Sequence, residues 1–195
     1  QSPLKNLLKP NRRIQVWLGV EVERKKEEYS KDCTGGRVYF ASGTAWGSDP
    51  EMAFDDNEDT FWDSGGAAFP KYFGVDFQND PKQIRRLRIK PRDGLLKDFI
   101  FQGSNDGHTW LDIHTDTATN SSEWQTFTFE NNNSYRYYRV YGLNNHIGTN
   151  YMVIYECEMM ELTIETYIEK EYVPLGTFWS LDWDSPDDTL EATVT

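Results

Sequence analysis

Apolar and polar side chains alternate along most of this chain. Ile14, Val16, Leu18, Val20 and Val22 are interleaved with Gln15, Trp17, Gly19 and Glu21. Successive strand residues face opposite sides, so this pattern is that of a half-buried β-strand. The same period of two recurs at 38–42, 72–77, 84–90, 99–103, 110–114, 124–129, 135–141 and 152–162. No window sustains the three-and-four spacing of an amphipathic helix over several turns. Many short strands in close succession predict an all-β protein, a sandwich or jelly roll. Between 99–103 and 110–114, Ser104, Asn105, Asp106 and Gly107 tolerate positive φ, which predicts a hairpin there.

Composition sharpens this picture in three ways. The 195 residues suffice for one domain plus a small satellite. Only 37% of residues are apolar, but 7 Trp, 11 Tyr and 11 Phe allow a core built largely from rings. A net charge of -12 argues against nucleic acid as a partner. The apolar stretch 94–101 is interrupted by Lys97 and Asp98, as others are by charge, so no membrane span is expected and the protein reads as soluble. The chain starts at Gln1 without a signal-like segment, which reads as a processed or excised chain. Two cysteines, Cys33 and Cys157, exclude both a zinc cluster made of Cys alone and a disulfide-dense scaffold.

Charge also separates the ends from the middle. Residues 1–31 carry eight Lys and Arg against four Glu, whereas 156–195 hold eleven acidic residues and one base, Lys170. Complementary ends predict that the flanks 1–31 and 163–195 pair as one small β subdomain, making 32–162 an inserted module. The alternative is a pair of loosely attached tails.

Residues 53–62 read AFDDNEDTFW, an acidic, amide-rich turn running into paired aromatics. Hard cations take several oxygens from one short loop, and Asp55, Asn57 and Thr60 offer them; a solvated acidic turn is the competing reading. The stretch resembles the A-x-D-G-N-x-x-T-x-W signature of discoidin domains, also called coagulation factor five/eight type C, and of family 32 carbohydrate-binding modules. The resemblance continues in order through FPKYFGVDF (69–77), IRRLRIKPRDG (84–94), FIFQGSNDGHTW (99–110), YRYYRVYG (135–142) and IYECEMMEL (154–162). It implies a galactose-binding-like jelly-roll β-sandwich over about two thirds of the chain. Asp56 departs from the family's usual Gly, which leaves the backbone of that turn open.

The resemblance also implies a site. In carbohydrate-binding members this loop and the closing strand hold a structural Ca2+ ion; carried over, the ligands are the Met52 carbonyl, Asp55, Asn57, Thr60 and Glu156, with Glu158 the alternative two residues on. Arg92 matches a position where sugar binders place Arg, and Asp63 one where many have His. Trp46 in the small-residue loop 43–48 is either an exposed stacking platform or a ring folded back over the sandwich mouth. Asn145 and His146, in the loop 142–151, suit sugar hydroxyls, or the loop is simply a hydrated turn. Many secreted relatives close the module with a disulfide near Cys33 and Cys157; a buried free thiol is the alternative. Clotting relatives insert apolar spikes into anionic membranes, but the charge of -12 opposes that, so membrane insertion is not expected. No nucleophile motif, metalloprotease helix or phosphate loop occurs, which predicts a module that is not an enzyme.

The flanks carry a second, shorter resemblance. LLKPNRRIQVWLGV (7–20) and YVPLGTFWSLDWDSPDDTLEATVT (172–195) are similar to segments of phage and prophage tail proteins near the tail tip or baseplate hub. Trp179, Leu181 and Trp183 alternate with polar residues, predicting a strand whose Trp face needs a cover, from a larger parent or from a homo-oligomer. The expectation is a noncatalytic adhesion module of a phage-like tail, located on the virion tail or outside the cell. Its expected partners are a cell-surface carbohydrate and other tail or baseplate proteins. A tail assembly or decoration domain without sugar affinity is the alternative.

Overall fold

The computed structural model describes residues 12–45 and 47–180. Contacts divide the chain into two units, Gln1–Lys26 with Glu165–Thr195, and Glu27–Ile164. Among the described residues there is no helix long and apolar enough to cross a membrane.

The unit Glu27–Ile164 is a two-sheet β-sandwich. One sheet contains β2 (Val38–Ala41), β4 (Lys71–Asp76), β9 (Tyr137–Gly142), β6 (Asp98–Ser104) and β7 (Leu111–Thr117), in the order β2-β4-β9-β6-β7. The other has the order β1-β10-β5-β8, from β1 (Arg12–Tyr29), β10 (Val153–Ser180), β5 (Ile84–Pro91) and β8 (Gln125–Thr128), with β3 (Trp62–Asp63) also on β10. This is the all-β, galactose-binding-like jelly roll that the alternation and the motifs indicate. Two elements escaped the pattern because they are too short for a period to show: the two-residue β3 and a 3-10 turn, Pro50–Ala53. β1 and β10 are also longer than the alternation at 14–22 and 152–162 marks.

The period of two puts rings between the sheets. Phe73 and Val75 of β4, Tyr138 and Val140 of β9, Phe99 and Phe101 of β6, and Leu87 and Ile89 of β5 are all buried. The Phe101 and Tyr138 rings stack at 5.4 Å, and Trp62 lies 5.0 Å from Phe73. A buried phenol needs partners. The Tyr138 hydroxyl donates to the Lys82 carbonyl (2.6 Å) and accepts from Asn131 Nδ2 (3.2 Å), and burial pushes its pKa up to about 12. On β4, Gly74 is obligatory: a Cβ there would lie 2.2 Å from the Tyr138 carbonyl oxygen.

The hairpin after β6 forms where expected, with Gly103 opposite Leu111. Asp106 holds it, accepting backbone N–H bonds from His108 (2.8 Å) and Thr109 (2.7 Å). Both cysteines are free thiols, with Cys157 buried and Cys33 partly so.

In the other unit the described parts of β1 and β10 lie side by side and run antiparallel. Gly19 sits against the Tyr172 ring, and Lys170 faces Glu21 at 3.9 Å. Arg24 bridges Glu169 (3.2 Å) and Glu171. The alternation expected at Trp179, Leu181 and Trp183 lies outside the described side chains.

Candidate functional site

Four loops meet at one end of the sandwich, around Val153 of β10. β3 pairs with β10 so that Asp63 is opposite Val153, and from the other side the Arg92 N–H donates to the Val153 carbonyl (3.0 Å). Asp63 and Arg92, 29 positions apart in sequence, therefore flank a single residue. The Ala45 N–H donates to the Asp63 carbonyl (2.8 Å), which anchors the loop that carries Trp46. Trp46 itself lies outside the described residues. Gly43 permits that anchoring, since a Cβ there would lie 2.9 Å from the Ser64 carbonyl oxygen, and the buried Trp62 indole donates to the Gly43 carbonyl (3.0 Å).

The fourth loop follows β9. Its His146 N–H donates to the Gly94 carbonyl (2.9 Å), and the ring Nε2 lies 2.8 Å from the Ala118 carbonyl. A carbonyl only accepts, so Nε2 carries the proton and His146 serves as a tie between loops. Asn145 is not available on the rim, in contrast to the expectation from sequence. It is buried, its amide donates to the Thr149 and Tyr151 carbonyls, and its oxygen accepts from the Thr149 N–H. Satisfying a buried amide takes most of its bonding capacity, which leaves little for a ligand.

Two residues that sequence reasoning passed over complete the rim. Tyr151 is 46% exposed, and its hydroxyl is 3.2 Å from where a Cβ on Gly66 would be. Its ring thus lies over the loop that follows Asp63, the flat face of which is bare because residue 66 is glycine. Lys71 is buried beneath the same loop, with Nζ donating to the carbonyls of Ser64 (3.2 Å) and Gly65 (2.6 Å). Burial lowers its pKa, with Asp63 acting in the opposite direction. Asp63 Oδ1 accepts from the Gly65 N–H (2.8 Å). The Arg92 side chain is exposed, and no hydrogen bond or ion pair ties it down among the described residues. The rim therefore offers a free guanidinium, a carboxylate oxygen and an aromatic face over a braced loop.

The second expected site lies on the 55–60 turn. Asp56 has φ +57, so the position the family fills with Gly keeps the left-handed backbone with an Asp, among the residues that best tolerate it. The Thr60 hydroxyl donates to the Asp55 carboxylate (2.9 and 3.0 Å). The Asn57 N–H donates to Asp55 Oδ1 (3.1 Å) and to Glu156 Oε1 (2.8 Å). Asp55, Asn57, Thr60 and Glu156 are thus brought together, and Met52 lies in the 3-10 turn just before them. Glu158, the alternative, is turned away to Arg88 (2.5 Å). Glu156 is only 2% exposed, and its pKa is pushed up to about 8, first by burial and then by Asp55. Two carboxylates that share one N–H donor, one of them buried, are a donor set suited to a hard cation. Among the described residues no group of three or more His, Cys, Asp and Glu could hold a metal, so carbonyl and hydroxyl oxygens would have to complete the shell. Glu58 pins the turn to the sheet, accepting from the Trp124 indole (2.8 Å) and pairing with Lys90.

An open cavity of about 490 Å³ lined by Lys31, Cys33, Arg37, Asp56 and Lys82 has no aromatic wall. Its Arg37 and Lys82 are already paired with Asp80.

A two-sheet sandwich with its loops gathered at one end defines a class of domain rather than a single protein. Residues 39–157 match the F5/8 type C domain, and the chain belongs to that family. Solved structures give the same fold. The family 32 module of NanJ from C. perfringens, in complex with galactose, is 16% identical with a TM-score of 0.60, covering 69% of this chain and 100% of that one. Chitosan-binding module 1 from a chitosanase/glucanase of Paenibacillus sp. IK-5 is 22% identical with a TM-score of 0.58, covering 67% and 98%. A C. perfringens family 32 module in complex with GalNAc-beta-1,3-galactose is 16% identical with a TM-score of 0.59, covering 67% and 99%. These are carbohydrate-binding modules, a noncatalytic kind of domain. No curated protein sequence matches the chain.

Proposed function

We propose that the sandwich is a noncatalytic carbohydrate-binding module that recognises a cell-surface glycan through the rim built by Asp63, Arg92 and Tyr151. The observation that carries this reading is the placing of Asp63 and Arg92 on either side of Val153, with an exposed tyrosine ring over the loop that follows Asp63. Sugar hydroxyls compete with water only where several directional bonds converge next to an apolar platform, and a guanidinium, a carboxylate and a tyrosine ring on neighbouring loops support that reading. Trp46, on the loop anchored to Asp63, is the second platform in this reading.

The Met52 carbonyl, Asp55, Asn57, Thr60 and Glu156 would hold Ca2+. The ion would supply a positive charge that lets the buried Glu156 stay ionised, tying the 55–60 turn to β10. Its role would be structural. The parent would be a phage-like tail or baseplate protein, with the virion tail or the extracellular space as its location; this part rests on the KPNRR and PLGTF segments in the flanks.

A glycan array followed by titration calorimetry tests the reading. Binding should be lost in Arg92→Ala and Tyr151→Ala with little change in melting temperature, because both side chains are exposed. Absence of binding to any glycan at millimolar concentration would overturn it in favour of a structural tail domain.

A further inference from the structure

The ribbon made by β1 and β10 in the unit Gln1–Lys26 with Glu165–Thr195 carries more apolar surface than two strands can bury. Trp17 is 52% exposed and Tyr172 64%, and Leu18, Val20, Val173 and Leu175 are exposed as well. Gly19 lies against Tyr172, so odd-numbered residues of β1 share a face with even-numbered residues of β10. One face then holds Trp17 and Tyr172. The other holds Leu18 and Val20 beside Val173 and Leu175, and continues into the ion pairs of Arg24 with Glu169 and Glu171. A two-stranded ribbon is marginal in water, and bare apolar faces of this kind call for a cover.

The edges of the ribbon are open too. Among the described residues β1 pairs only with β10, and β5 ends its pairing with β10 at Glu161. Among the described residues each strand of the ribbon therefore has one unpaired edge, along 165–175 and its counterpart in β1. An open edge is a template for another strand.

Charge indicates which strand. In the ribbon β1 carries Arg24, Lys25 and Lys26 with Glu21 and Glu23, an excess of base, while β10 carries Glu165, Glu169 and Glu171 with Lys170, an excess of acid. Within one copy the two are matched, Arg24 to Glu169 and Glu171, and Lys170 to Glu21. Pairing β10 with β10 of a second copy would set three glutamates against three. Pairing β1 with β10 of a second copy repeats the match that one copy already makes.

We propose that this ribbon is a self-assembly surface, on which the free edge of β1 in one copy adds to the free edge of β10 in the next. The contact is head to tail, and the assembly proposed is the closed one, a ring in which β1 and β10 strands alternate and no edge is left unpaired. Closure removes the paired edges and turns the face of Leu18, Val20, Val173 and Leu175 inward, with the Arg24, Glu169 and Glu171 ion pairs at one end of that face. Trp17 and Tyr172, whose rings carry a polar atom, face outward.

Sedimentation velocity and amide hydrogen exchange on the full chain, across a concentration series, test this. The unsubstituted chain should form an oligomer that dissociates on dilution, with protection of the amides of residues 17–24 rising and falling with it. Leu18→Glu and Val173→Glu should each give monomer at concentrations where the parent is fully assembled. Arg24→Glu should weaken assembly, and adding Glu169→Arg and Glu171→Arg should restore it; this set leaves the apolar face intact and so controls for misfolding. A chain that stays monomeric at every concentration, or assembly that survives both apolar substitutions, would overturn the proposal. Protection of 17–24 that is independent of concentration would overturn it also, since the chain's own residues would then be the cover.

Discussion

Lys71→Met should destabilise the sandwich although it replaces a charged, buried side chain with an apolar one of similar volume. Lys71 is 2% exposed and has no carboxylate in hydrogen-bonding contact; its ammonium is held by the carbonyls of Ser64 and Gly65. Hydrogen bonds to a charged donor contribute ~1.5 to 3 kcal/mol each, against a desolvation cost of several kcal/mol for the ion. Methionine removes the cost but orphans the buried Ser64 carbonyl and leaves the Gly65 carbonyl only the Ser64 hydroxyl (3.2 Å). The net loss is about 2 kcal/mol, or about 6 °C in melting temperature for a unit of this size. The pH dependence gives a second reading. The folded-state pKa of Lys71 is lowered, so between that value and the ordinary 10.5 the unfolded chain binds more protons than the folded one. Stability of the parent relative to Lys71→Met must therefore rise as pH climbs through that window. Thermal and urea melts from pH 7 to 11 measure both effects. A variant as stable as the parent at pH 7, or a stability difference that falls with alkaline pH, would refute the argument. Glycan affinity should fall as well, because the loop over Lys71 positions Asp63.

Three further outcomes are expected. Excess chelator should lower the melting temperature, and Asp55→Ala should mimic it, because an ion bound only by the folded state stabilises it by mass action; an unchanged melt would remove calcium from the account. Asp56→Gly should be neutral or slightly stabilising and Asp56→Val should cost about 1 to 2 kcal/mol, since φ is +57 there; equal melting of the two variants would contradict the left-handed turn. Asp76 accepts two 2.7 Å bonds from Arg136, which hold its carboxyl below the ordinary value. Its stabilisation is therefore present above the ordinary carboxylate range and is lost as pH falls through the lowered folded value, so Arg136→Gln should flatten the acid limb of the stability curve.

How far this was legible from sequence depended on whether a feature is local. Strand alternation and turn chemistry act within a few residues, so the β6–β7 hairpin and the inward rows of Phe73, Phe101 and Tyr138 could be read directly. The motif at 53–62 likewise placed Asp55, Asn57 and Thr60 together, because they share one turn. Lys71 and Tyr151 were invisible for the opposite reason. A lysine between Pro70 and Tyr72 reads as solvated, and only the loop after β3, folded over it from elsewhere in the sandwich, makes it a buried brace. Tyr151 counts as a platform only because Gly66 lies beneath its ring. Asn145 is the converse case: its polarity suits a ligand, and the structure places its bonds within its own loop.

Under the proposed function, the same consideration sets which groups of a sugar the rim would meet. A polar side chain that holds a loop has used the hydrogen bonds a ligand would need, and on this criterion Asn145 drops out and the Nε2 of His146 is spent. What remains unspent is the Arg92 guanidinium and the second carboxylate oxygen of Asp63, beside the Tyr151 face. A donor fork opposite an acceptor matches adjacent hydroxyls on one pyranose, and one ring covers one sugar face. The bracing that removed two candidates also fixes the others, since the Ser64, Gly65, Gly94 and Ala118 carbonyls are all tied down by side chains or backbone of neighbouring loops. Weak, directional contacts gain most from such rigidity, because less ordering remains to be done when the sugar arrives.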